Sequence, residues 1–324
     1  MAGRRFFLIA SLVVGLQLLG ILSSHAAEKY PTRAITLICP FSPGGTTDLW
    51  ARLTAEFLKK KWGVPVNVVN KTGGGGVPAN LEVYQAKPDG YTMLTDNQSS
   101  CPFQEIAIKD LPYKTLDRTF VAMVAITADV MFCSTKFPWK DLKDLAEEVK
   151  KDPENFTWAT TGPGGASDVH ARLFFKSIGV DVAKTKPVIG KGMGELNQMV
   201  AGGHIKMGQD AAPSAHPFVK GGLVRALSIT RKMPHLYPDV KTPGEQGFPL
   251  MDTKIWWWGI SGPPNLPSHI IEAWHRTLRE LVNDPEYVEK IKNSGGLIEY
   301  REGEEFRKWV EKEIQTAKEL YGVK

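Results

Sequence analysis

The sequence predicts an α/β protein of two lobes, each built on a parallel-rich sheet. Three observations lead there. One local phrase is written twice: residues 43–53 read Pro-Gly-Gly-Thr-Thr-Asp-Leu-Trp-Ala-Arg-Leu and residues 163–173 read Pro-Gly-Gly-Ala-Ser-Asp-Val-His-Ala-Arg-Leu, identical at seven of eleven positions. Each copy follows a short β-type run and precedes a helical pattern. The alternation of strand and helix that begins near residue 34 starts again near residue 156, so the second half repeats the plan of the first.

Taken in order, Arg4 and Arg5, an apolar run over 6–22 and small residues to Ala27 have the three-part order of a secretory signal, with cleavage expected after Ala26. The competing reading is an uncleaved anchor. Removing 26 residues leaves 298, enough for two domains. The formal charge falls from +5 to +3 because Arg4 and Arg5 are lost. No basic run interleaved with aromatics is present, which argues against nucleic acid as a partner.

A strand at 34–39, a helix at 46–60, a strand at 66–69, a helix at 78–86 and a strand at 91–95 make a βαβαβ run. In the first helix Leu49, Leu53 and Phe57 form an apolar stripe for the sheet, and Trp50 is a packing residue. A pair of strands at 120–126 and 130–134 leads to a polar helix at 139–150. The second run has strands at 156–160, 185–189 and 204–208 with helices at 168–178 and 193–201. A helix at 214–220 and a strand at 223–230 follow. An aromatic strand at 255–261 and helices at 268–283, 285–294 and 304–320 close the chain. The expected organisation is a signal over 1–26, a first lobe from 27–127 and 252–324, and a second lobe from 128–251. Two crossings between lobes make a hinge, and the ligand site falls in the crevice at the carboxyl ends of both sheets.

Strand, Gly-rich turn and helix N-terminus together make an anion cradle. The first N–H groups of a helix lack internal partners, and glycine lets a ligand approach the chain. The candidates are therefore Gly44, Gly45, Thr46, Thr47 and Asp48 in the first turn and Gly164, Gly165, Ala166 and Ser167 in the second. The plainer alternative is that glycine only permits each turn and Asp48 or Asp168 favours the first helical turn electrostatically. Asn97, Gln98 and Ser99 follow a strand at the same carboxyl edge. His170 is suited either to a bound carboxylate or to a structural hydrogen bond, and Asp210 either to a ligand amine or hydroxyl or to capping the next helix. Of Trp256, Trp257 and Trp258, either one lines the cleft or two are core and one covers the hinge.

The run at 73–76 lacks the Lys-Ser/Thr ending of a phosphate loop and reads as a tight turn. No metal-ligand spacing or cofactor motif occurs. Cys39, Cys101 and Cys133 read as buried thiols more readily than as one disulfide and a free thiol. No Gly-x-Ser-x-Gly elbow is present, and Asp168 and His170, two apart on a helix, do not face each other.

Several ordered segments carry a resemblance: Tyr30-Pro31-Thr32-Arg33, then 40–48, Val69-Asn70-Lys71-Thr72 with the glycine run, Lys87-Pro88-Asp89-Gly90-Tyr91-Thr92, Leu227-Ser228-Ile229-Thr230, 238–247 and Trp258-Gly259-Ile260. In this order they resemble the substrate-binding proteins of the tripartite tricarboxylate transporter family, the Bug receptors. The resemblance covers nearly all of the mature chain. It implies a periplasmic binding protein of the type II Venus-flytrap kind, without catalytic activity or cofactor, that captures a small organic carboxylate and presents it to membrane permease subunits. It also adds Phe41, Ser42, Thr161 and Gly162 to the candidate ligand loops. The Val-Pro-Tyr-Lys-Gly stretch usual in the family reads Lys186-Pro187-Val188-Ile189-Gly190-Lys191-Gly192, without its Tyr. Both an aromatic acid and a dicarboxylate fit this reading. The alternatives are a ligand sensor without transport and a hydrolase on the same fold that uses His170 or Ser167.

Overall fold

A computed structural model describes residues 30–253 and 255–321, so the expected signal segment lies outside the described residues. The first run forms as expected. Strand β1 (Ile35–Cys39), helix α1 (Thr46–Trp62), strand β2 (Val66–Asn70), helix α2 (Val77–Tyr84) and strand β3 (Thr92–Asn97) alternate, and β1 pairs in parallel with both β2 and β3.

The next two strands are not a hairpin. Strand β4 (Thr119–Thr127) joins the sheet of β1, whereas β5 (Asp129–Ser134) joins another, and only Ala128 separates them. Apolar runs this continuous are buried on both faces. Helix α3 (Leu142–Lys151), strand β6 (Thr157–Thr160), helix α4 (Ala166–Ser177), strand β7 (Lys186–Ile189) and helix α5 (Met193–Ala201) follow. Strand β8 (Gly208–Ala211), helix α6 (Ala212–Lys220) and strand β9 (Val224–Ile229) complete the second system. Strand β5 lies antiparallel between β8 and β9, and β6 pairs in parallel with β7 and touches β8 through Trp158 and Met207.

The chain then returns to the first sheet as β10 (Trp256–Gly262), followed by α7 (Ser268–Val282), α8 (Pro285–Asn293), β11 (Gly296–Glu302) and α9 (Gly303–Tyr321). The first sheet has the order β11-β4-β10-β3-β1-β2, with β10 antiparallel to β3 and β4 and β11 antiparallel to β4. Both sheet systems are therefore mixed; the parallel portions are the βαβ units the sequence revealed. Strand β11 escaped sequence reading because its Gly-Leu-Ile-Glu-Tyr-Arg-Glu composition is that of a partly exposed edge.

The apolar stripe of α1 is also displaced. Leu49 is 39% exposed and Leu53 only partly buried, while Phe57 is buried as expected, and the inward face is Trp50, Ala51, Thr54, Ala55 and Leu58. Trp50 lies over Gly296, where a Cβ would come within 2.5 Å of its ring, and its indole N–H donates to Ser294 Oγ at 3.0 Å. Thr54 hydrogen-bonds Tyr287 and Trp62 donates to Thr277, so α7 and α8 cover the first lobe. Helix α9 spans further: Phe306, Val310 and Ile314 pack with Phe120, Met123 and Trp257, while Ala317 joins the core around Phe174 and Phe175. All three cysteines are buried free thiols.

Beneath β3 lies an ion pair with no exposure on either side chain. Arg118 Nη1 meets Asp96 Oδ2 at 3.0 Å and Ser261 Oγ at 3.1 Å, while Nη2 reaches Cys101 Sγ at 3.0 Å. Asp96 also accepts from Ser261 Oγ at 2.8 Å and from the Asn97 N–H at 3.0 Å. Burial pushes its carboxyl above the usual range, and the Arg118 charge opposes that rise. Removing one partner leaves a buried charge uncompensated, so Arg118→Leu should lower stability by about 3 to 5 kcal/mol in urea unfolding. A loss below about 1 kcal/mol would show that the pair contributes little.

Candidate functional site

The repeated phrase builds the same corner twice. Gly44 and Gly164 take φ of 84° and 75°, left-handed backbone that glycine adopts without penalty. Gly45 and Gly165 then stand extended as N-caps of α1 and α4, with no side-chain cap. In the first copy the Asp48 carboxylate accepts the Gly44 N–H at 3.1 Å and the Arg52 guanidinium at 2.8 and 3.0 Å. In the second, Asp168 accepts the Gly164 N–H at 3.3 Å and Arg172 Nε at 2.8 Å. The repeated Asp and Arg are thus an internal brace that ties each turn to its helix, with i,i+4 spacing setting the reach. Burial raises the Asp48 carboxyl, but Arg52, Asn70 and the Gly44 N–H outweigh it and hold the group below its ordinary value. Tyr321 at the end of α9 donates to Asp168, so the last helix is fastened to the second corner.

The first corner lines a narrow crevice shared by the two sheet systems. From the first sheet it is lined by Phe41, Ser42, Gly45, Thr46, Thr47 and Ser99, and from the second by Thr161 and Asp210. All eight are sequence candidates. Met193, Ser214 and Trp256 also line it, and the sequence reading did not select them as site residues. Ser214 and Met193 carried only the weak signal of lying in the first turn of a helix. Trp256 is the member of the Trp triplet that reaches the crevice; Trp257 and Trp258 have no exposure.

The remaining candidates stand behind this wall. Gly44, Asp48, Gly162, Gly164 and Gly165 shape the corners. Asn97 donates to Thr47 Oγ1 at 2.6 Å and accepts the Ser99 and Ser100 N–H groups, so it holds its loop in place. Gln98 turns away and donates to Glu313 of α9 at 2.5 Å. Ser167 Oγ accepts the Thr161 N–H at 3.2 Å and donates to Thr160 Oγ1 at 3.4 Å, with no histidine in either bond. His170 is buried in α4 and does not line the crevice. Among the described residues, no group of His, Cys, Asp and Glu could hold a metal ion.

Two serines cross between the sheet systems. The Thr46 N–H donates to Ser214 Oγ at 2.8 Å, and the two hydroxyls meet at 2.9 Å. The Ala166 N–H donates to Ser99 Oγ at 3.3 Å. Each helix N-terminus is therefore met by a hydroxyl from the opposite lobe. The backbones come equally close: a Cβ on Gly164 would lie 2.8 Å from Phe103 O, and one on Gly192 would lie 2.9 Å from Ser42 N.

Asp210 lies inside β8, not after a strand at 204–208. Gly208 passes over the Phe132 ring, where a Cβ would meet it at 2.4 Å, and β8 takes its register from β5 there. The Asp210 carboxylate accepts the Ala211 N–H at 2.8 Å and Asn197 Nδ2 at 2.9 Å. Burial nevertheless raises it to about 6, against the pull of Asn197, Ala211 and Ser214.

Two α/β lobes sharing one crevice, lined by the first turns of α1, α5 and α6, have the architecture of a solute-binding protein. The sequence pattern described as the tripartite tricarboxylate transporter family receptor matches residues 50–322, and the chain belongs to that family. Among its relatives, Protein BugT of Bordetella pertussis is 28% identical over 312 residues, covering 95% of this chain and 94% of the relative. A solved MatC protein from Rhodopseudomonas palustris, with bound malate, is 26% identical with a TM-score of 0.84, covering 90% of this chain and all of the other. The periplasmic binding protein BugD is 25% identical with the same TM-score, covering 91% and 99%.

A carboxyl whose folded value is raised binds more protons in the native state, so its contribution favours folding at low pH and is lost as pH rises through about 6. Asp210→Asn should therefore stabilise the protein more at pH 7.5 than at pH 4.5, by about 2 kcal/mol in unfolding free energy. An equal effect at both pH values would show that Asp210 titrates as an ordinary exposed carboxylate.

Proposed function

We propose that this chain is a periplasmic receptor, without catalytic activity, that closes around a small organic carboxylate and presents it to the permease of a tripartite tricarboxylate-type transporter. The observation that carries this reading is the braced N-terminus of α1 opening on a crevice that the first turns of α5 and α6 also line, where first-turn N–H groups and the positive helix ends favour an anion. Malate in the related MatC protein supports the ligand class. The lobes are taken as 27–127 with 252–324, and 128–251, moving about Ala128 and the return near residue 252. The serine bonds across the crevice belong to the closed arrangement, and ligand binding shifts the population toward it.

The N–H of Thr46 provides a direct test. Thr46 is the first residue of α1, Gly45 before it has φ −78° and ψ 166°, and proline fits both positions. Thr46→Pro deletes the donor while leaving the helix intact, and should weaken carboxylate binding in calorimetry by about tenfold, whereas Thr46→Val keeps the N–H and most of the affinity. Equal affinity in the proline variant would remove this N–H from the site. Failure of every organic acid to bind the wild-type protein would sink the functional reading.

A further inference from the structure

Among the described residues, no arginine, lysine or histidine lines the crevice, and Asp210 is its one ionisable side chain. Neutral donors can hold a carboxylate, but an anionic side chain in the lining disfavours a second negative charge placed beside it. The Ala211 N–H donates to Asp210 Oδ1 and Asn197 Nδ2 to Oδ2, with Ser214 Oγ beside them, and a carboxylate's acceptor sites outnumber these donors. On the same wall of the crevice Thr161 Oγ1 is buried and has no hydrogen-bond partner in the protein. A buried hydroxyl in that state is satisfied when a ligand supplies the missing group.

Building on the carboxylate-receptor reading, we propose that Asp210 is the specificity-determining residue of the crevice and selects a carboxylate that also carries a hydrogen-bond donor, a hydroxyl or an ammonium, over the plain acid. The carboxylate takes the α1 N-terminus and the Thr161 hydroxyl, and the donor takes a free acceptor site of Asp210. A second carboxylate in place of the donor would set two like charges against each other in a poorly solvated cleft.

The groups around Asp210 leave its charge as the titrating element. Helix α5 supplies neutral Asn197, α6 supplies Ser214, and the register partner on β5 is Val130, next to the buried Asp129. Beyond β9, Tyr237 donates to Ala212 O, and burial with the neighbouring Asp210 charge keeps its phenol neutral. The first lobe contributes Thr46.

Calorimetry with two matched series tests the assignment: butyrate, 3-hydroxybutyrate and 4-aminobutyrate; succinate, malate and aspartate. At pH 7.5 the hydroxylated or aminated members of the series that fits should bind about tenfold more tightly than the bare acid. Asp210→Asn, with folding checked by its melting curve, should bring that ratio to within about twofold. A wild-type measurement needs no variant: from pH 7.5 to pH 5 the affinity for the ammonium-bearing ligand should fall relative to the bare acid, because Asp210 loses its charge. Plain acids binding as tightly as their donor-bearing partners, an undiminished preference in Asp210→Asn, or parallel pH responses would each overturn the assignment while leaving the carboxylate receptor standing. Absence of binding by every member would overturn both.

Discussion

The first-turn N–H groups of α1 and α4 have no partner within their own helices, and neither N-cap has a side chain to supply one. The crevice is arranged around that constraint. Glycines at 44, 45, 164 and 165 clear the approach, the Asp48–Arg52 and Asp168–Arg172 braces hold each corner rigid from behind, and Ser214 and Ser99 bring hydroxyls from the opposite lobe. A solvent-facing N-terminus would be satisfied by water; these are satisfied across a gap, which makes hydrogen bonding at the helix ends and approach of the lobes the same event.

Much of this arrangement could be read from the sequence because it is local. A turn that needs left-handed glycine, an acid four residues before an arginine and a strand-to-helix transition all lie within eleven residues, and their repetition announced two equivalent corners. Helix Met193–Ala201 matched its expected limits for the same reason, being bounded by glycines. What sequence could not supply was pairing over distance. Arg118 and Asp96 are 22 positions apart and meet only after β3 and β4 flank β10. Ser214 is 168 positions from Thr46, and nothing in its surroundings marks it as a cap for another lobe's helix. Residues such as Gln98 and His170 had suitable chemistry at a suitable place in the chain, but the direction of a side chain at the end of a strand or inside a helix depends on what packs there. Glu313 claims the first, and the core of the second lobe encloses the second.

The buried pair and the crevice are linked through one short segment. Asp96 ends its strand in contact with Arg118 and Ser261, and the next residue, Asn97, binds Thr47 and gathers the N–H groups of Ser99 and Ser100. Ser99 then reaches Ala166 in the second corner. A network of this kind has no slack: moving Asp96 displaces Asn97, which holds both the first corner and the serine that meets the second. The energetic logic of an uncompensated buried charge therefore reaches the crevice through geometry, without any direct contact between Arg118 and a ligand.

Magnitudes explain how such a crevice can both close and release. A neutral hydrogen bond contributes a net of about 1 kcal/mol, so the two serine bonds across the gap hold the lobes together weakly. A carboxylate placed at the same N–H groups makes charge-assisted bonds of about 1.5 to 3 kcal/mol each, and the helix ends add a favourable field. It can displace the serine hydroxyls from the N–H groups, yet the difference is small enough to be reversed when the lobes separate and water returns. In the closed, empty crevice the serines thus stand in for the acceptor that the helix ends require.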